Sequence, residues 1–148
     1  MSRTILLDSG LLGLITNPKA SPQTAACGRW VVDALDRGSA VFVPEIADYE
    51  VRGELIWARR RAGIERLDAF IAQIEYLPIE TAAMRQAAVF WAEARQEGRP
   101  TAPDAALDAD VILAAQAVTL NRPNTIVATT NPKHLSRYIP AALWTDII

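Results

Sequence analysis

The residues of this 148-residue chain best equipped for chemistry are carboxylates placed where apolar segments begin or end. Asp8 closes the run Thr4-Ile5-Leu6-Leu7, and Asp104, Asp108 and Asp110 crowd the start of an apolar stretch from Val111 to about Leu120. Glu50 lies in line with Ile46, Gly53 and Trp57 at i−4, i+3 and i+7, an apolar side of its segment where a solvated carboxylate is rarely found. Carboxylates crowded at one helix start repel one another and coexist only where solvent, arginine or a cation offsets their charge. Each acid has a structural use as well: Asp8 suits a helix N-cap, and a helix start favours negative charge through its free N–H groups. Thr129-Thr130-Asn131 adds hydroxyl and amide oxygens after another apolar run, in residue types that equally suit a turn. Oxygen donors of this kind, without histidine or cysteine among them, match Mg2+ or Mn2+.

The remaining composition removes competing chemistries. A single histidine, His134, leaves zinc without its usual ligands, and the single cysteine, Cys27, sits in apolar surroundings that suit a buried, inert thiol. The chain has no G-x-S-x-G elbow, no G-x-G-x-x-G and no phosphate-binding P-loop. Aspartyl phosphotransfer wants a second aspartate two residues after the first, and here Asp8 is followed by Ser9 and Gly10. Of the 15 basic residues 13 are arginines, and Arg52, Arg59, Arg60, Arg61 and Arg66 share one stretch with only Glu54 and Glu65 as counter-charges. Arginine forks match phosphate oxygens, so a phosphate-bearing partner and a solvated helix face are both open readings of that stretch.

These groups must be positioned by an α/β domain. Short, continuously apolar runs at 4–7, 40–43 and 125–129 read as buried strands, with weaker candidates at 76–79 and 143–147. Between them, helical spacing predicts segments at 22–37, 45–61, 64–74, 81–97 and 111–120, with Ser21 and Thr81 as caps and 99–103 as a loop. Trp30, Trp57 and Trp91 fall on helices and are expected in the core. Strands alternating with helices give a mainly parallel sheet, whose ligands bind beyond the carboxyl ends of the strands. One core can form at this length, no apolar stretch approaches the ~20 residues a membrane helix needs, and the first residues lack a signal peptide, so a cytoplasmic protein is expected.

Four segments in order resemble the PIN domain, most closely its bacterial toxin-like members, the VapC-type ribonucleases. They are Asp8 after Ile5-Leu6-Leu7, the stretch from Pro44 to Arg52 that holds Glu50, the stretch from Leu107 to Ala117 that holds Asp108 and Asp110, and Thr129 through Leu135. The resemblance covers nearly the whole chain. It implies a single three-layer α/β/α domain over 1–148, and metal-dependent endoribonuclease activity with Mg2+ or Mn2+. Carried onto this sequence, it assigns catalytic roles to Asp8, Glu50, Asp110 and Asn131, and metal ligation to Asp8, Glu50, Asp110 and Asp108. Arg52 and Thr130 become RNA contacts. Asn131 stands where the family often has a carboxylate, which bears on a second metal. The resemblance further implies an RNA substrate, a small antitoxin partner and a homodimer; a catalytically weak RNA- or protein-binding module is the alternative.

Overall fold

A computed structural model describes residues 2–98 and 108–147. Asp104 and the loop expected at 99–103 lie outside the described residues. Five strands, β1 (Thr4–Leu7), β2 (Ala40–Pro44), β3 (Glu75–Leu77), β4 (Thr125–Thr129) and β5 (Ala141–Leu143), form one sheet in the order β3-β2-β1-β4-β5. Every pairing is parallel, with Leu7 opposite Ala128 and Leu6 opposite Phe42. The helices are α1 (Ser9–Thr16), α2 (Pro22–Asp36), α3 (Glu45–Trp57), α4 (Arg61–Ile71), α5 (Thr81–Gln96) and α6 (Ala109–Leu120).

The continuous apolar strands are explained by two cores, one on each face of the sheet, because alternate side chains point to opposite faces. Ile5, Leu7, Val41 and Val43 point into a core completed by α1, α2, α3 and α4, while Leu6, Phe42 and Val127 meet α6 and Ala87 of α5. Helix α6 is buried from Val111 through Ala117, which is why its sequence is apolar all round. This is the three-layer α/β/α architecture with a parallel central sheet expected from the sequence. No helix among the described residues is long and apolar enough to cross a membrane.

Several boundaries differ from the sequence expectation. The helix expected over 45–61 stops at Trp57, because Arg59 adopts a left-handed conformation (φ 56°) and the chain restarts as α4 at Arg61, ahead of the expected Ile64. That turn lets Gly63 pack against Leu55, where an added Cβ would meet Leu55 Cδ2 at 2.6 Å. Thr81 is the first helical residue of α5 and not its cap, a position held by Glu80. The last strand is Ala141–Leu143, followed by a 3-10 turn at Trp144–Asp146, so the pairing with β4 precedes the more apolar stretch. Trp30 is partly buried, its Nε1 donating to the Ile147 carbonyl at 3.0 Å, but Trp57 is 87% exposed and Trp91 37%. Cys27 is a free, fully buried thiol whose pKa burial raises.

Candidate functional site

The strand order reverses direction at β1: β2 and β3 extend the sheet on one side, and β4 and β5 on the other. The carboxyl ends of β1 and β4 therefore flank the crevice where open α/β sheets place their ligands. Asp8 stands there. Its N–H donates to the Ala128 carbonyl at 3.1 Å, carrying the β1–β4 ladder one residue beyond the strand. The side chain then serves two neighbours: Oδ1 accepts from the Leu11 N–H at 2.8 Å, capping α1, and Oδ2 accepts from the Thr129 hydroxyl. Asp8 is thus both the helix cap and the strand-end carboxylate that its sequence position allowed. Burial pushes its carboxyl above the ordinary range, the Thr129, Leu11 and Thr130 donors pull it back, and the charge on Asp110 pushes it up again.

Glu50 lies in the second turn of α3 and is half-buried. Burial raises its pKa, a hydrogen bond from Ser9 lowers it, and Asp110, Asp8 and Glu54 raise it further. Asp110, in the first turn of α6, is raised by burial and by Asp108, and lowered by the cationic field of His134 and Arg137. Asp108 is 5% exposed and caps α6, accepting from the Val111 N–H at 3.4 Å. The carboxylates of Asp8, Glu50, Asp108 and Asp110, drawn from one strand end and two helices, thus form one electrostatically linked set.

The other expected residues are placed less uniformly. Thr130 is exposed beside Gly10, where an added Cβ would stand 2.6 Å from Thr130 Oγ1, so glycine permits the loop after β4 to touch the first turn of α1. Asn131 is turned into its own loop: its N–H donates to Thr129 Oγ1 at 2.9 Å, and its Oδ1 accepts from the Lys133 N–H at 3.2 Å. Arg52 is engaged within the protein, its guanidinium paired with Asp48 at 3.0 Å and Asp68 at 2.8 Å. Sequence reasoning gave no role to Ser9, His134 or Arg137, which the structure sets beside Glu50 and Asp110. All three lie within a few residues of the expected strand-end loops, and His134 and Arg137, with Arg137 Nη2 at 3.2 Å from His134 Nδ1, have one-turn spacing.

Among the described residues no three His, Cys, Asp or Glu side chains form a ready-made ligand group around one point. The donor set is still that of a hard cation, and Mg2+ commonly keeps several waters while taking only one or two carboxylates directly. A groove of about 710 Å3 runs from Ser9 and Glu50 between α1, α3 and the start of α4, past Lys19, Glu54 and Arg60. Asp8 and Asp110 are not in its wall, so the groove is an approach to the acidic set.

No protein-family model matches the chain. No curated protein matches it. Solved structures do share its fold. A chain of the VapBC2 complex from Rickettsia felis, crystallised with a DNA fragment from its promoter, aligns with a TM-score of 0.73 at 14% identity, over 95% of this chain and 98% of that one. A chain of the DNA-bound VapBC from Salmonella typhimurium aligns at 0.66 with 21% identity, over 97% of this chain and 99% of the other. A chain of VapBC-1 from nontypeable Haemophilus influenzae aligns at 0.67 with 14% identity, again over 97% and 99%.

Proposed function

We propose that the chain is a metal-dependent endoribonuclease and the toxin of a toxin–antitoxin pair. The observation that supports this most directly is the electrostatic linkage of Asp8, Glu50 and Asp110, three carboxylates from distant parts of the sequence, at the β1/β4 crevice. Carboxylates that raise one another's pKa at a strand-end crevice are arranged for a cation. Asp8, Glu50 and Asp110 would hold Mg2+ or Mn2+, with Asp108 adjacent. When bound, the ion supplies Lewis-acid polarisation of a phosphodiester and offsets the negative charge that builds up as it is hydrolysed.

The protein's own groups do the positioning. Thr129 and the Leu11 N–H fix the two oxygens of Asp8, and Ser9 orients Glu50. Lys19 and Arg60 offer cations to a phosphate chain along the groove, and Thr130 offers an exposed hydroxyl at its acidic end. With its Nε and Nη2 held by Asp48 and Asp68, Arg52 is assigned a structural role, and the phosphate contact expected of it passes to Arg60. Asn131 shapes the loop that presents Thr129. Because the similar structures are VapBC complexes, a small antitoxin is the proposed partner, with a homodimer and a cytoplasmic location as parts of the same reading.

The test is cleavage of a labelled single-stranded RNA with Mg2+ or Mn2+, with EDTA, and by Asp8→Asn and Asp110→Asn variants. Metal-dependent cutting lost in both variants is the expected result. Inactivity of the antitoxin-free protein with either metal, across RNAs of varied sequence, would sink the nuclease reading. The binding-module alternative draws on Asn131, whose amide is occupied within its loop. It predicts RNA retention without cleavage.

A further inference from the structure

We infer that Trp57 is a base-stacking platform that grips single-stranded RNA at the outer end of the Glu50 groove; this deepens the RNA-cleaving reading and rests on it. Trp57 is the last residue of α3 and is 87% exposed, far more than a helical tryptophan needs to be. It follows Glu50 by seven residues, two helical turns, so the two share one line along α3 about 10 Å apart at 1.5 Å per residue. Gly53 lies between them on that line and is exposed, with open space where a Cβ would stand. Glu54, exposed and in the groove wall, follows Glu50 by four residues and precedes Trp57 by three, and the indole flanks the groove beside Ala58.

Charge selects the occupant. Immediately after Trp57 come Ala58, which lines the groove, Arg59, Arg60, which also lines it, and Arg61. Between 57 and 66 there are four arginines against Glu65 alone. A symmetric contact with a second copy would bring two patches of the same net positive charge into one interface, because a two-fold contact uses the same patch on both copies. A polyanion removes that repulsion, and an exposed aromatic beside arginines is what unpaired bases stack on, since every base has a π-face. Duplex RNA keeps its bases stacked inside the helix, so the fit is to single-stranded chain.

The experiment measures binding of a short, labelled single-stranded RNA of mixed sequence in EDTA, where no cutting occurs. Trp57→Ala should weaken binding about tenfold, within the range found for loss of one base–aromatic stack. Trp57→Phe should keep most of the affinity. With wild type, an abasic nucleotide moved along the RNA should cost a similar factor at one position, and that cost should vanish in Trp57→Ala. The Mn2+-induced rise in Tm should be the same in all three proteins. Equal affinity of wild type and Trp57→Ala, an abasic penalty that survives in Trp57→Ala, or a change in oligomeric state without a change in RNA affinity would each overturn the assignment. Metal-dependent cleavage that is normal in Trp57→Ala overturns the platform and leaves the nuclease intact. Trp57-dependent binding by a wild type that never cuts upholds the platform and rejects the nuclease.

Discussion

Asp8 serves two elements with two oxygens, and Thr129 is the group that binds it to β4. Thr129→Val keeps shape and burial but removes the hydroxyl that donates to Asp8 and accepts from the Asn131 N–H. A hydrogen bond to a charged group contributes about 1.5–3 kcal/mol, and urea denaturation should show a loss of that order. The raised carboxyls make a second prediction whose sign follows from proton counting. With a folded-state pKa above the unfolded value, the folded chain binds more protons than the unfolded chain in the interval between the two. Stability of the metal-free protein therefore falls as pH rises from the ordinary carboxylate range through the raised values of Asp8, Glu50 and Asp110. Asp110→Asn removes one of these contributions. Its metal-free Tm should exceed wild type at pH 7, converge with it in acid and no longer rise as far with Mn2+, all readable by thermal melts across pH. The identity of these three acids was legible because each breaks an apolar pattern. Ser9, His134 and Arg137 were not, because a serine after an aspartate or a histidine in a polar loop breaks no pattern, and only the folded chain sets them beside Glu50 and Asp110.

At the scale of elements, α6 shows how a cap and a ligand can be told apart. Asp108 accepts from the Val111 N–H, so Asp108→Ala should cost about 1 kcal/mol as an N-cap loss, while Asp108→Asn, whose amide oxygen still accepts, should melt close to wild type. If Asp108 also ligates metal, the asparagine variant will lose Mn2+ stabilisation while keeping its unliganded Tm. Arg52 pairs with an exposed Asp68 on α4 and a part-buried Asp48 on α3, so Arg52→Ala should lower stability by about 1 kcal/mol, less at high salt, and leave RNA affinity unchanged. The α3–α4 break shows where periodicity misleads. Ala47, Val51, Leu55, Ala58 and Ala62 run on with no proline or glycine between Leu55 and Ala62 to mark the break. What ends α3 is tertiary: the left-handed Arg59 and the fit of Gly63 against Leu55 turn the chain there. The last strand was misplaced for a related reason, since Ala141 and Ala142 are too small to signal a strand and gain their place by pairing with β4.

Across the whole molecule, the sheet is held by strands apolar on both faces, and adjacent residues answer to different cores. Leu6 faces α6 and Leu7 faces the α1 side, and both are fully buried. Leu6→Ala and Leu7→Ala should each cost about 2–5 kcal/mol, and thermal melts should show Tm falling by about 2–4 °C for each of those kcal/mol. This double burial is also why the architecture could be read from sequence: only a parallel sheet covered on both sides asks for short, unbroken apolar strands between helices. The strand order has a consequence for the making of the protein. Because β4 is the last-synthesised neighbour of β1, Asp8 meets Thr129 only after some 120 further residues have been translated, and Asp110 joins late as well. A chain still leaving the ribosome carries its first acid long before it carries the site. On the proposed function, the chain would stay harmless to the message and machinery producing it until β4 has emerged and closed the site.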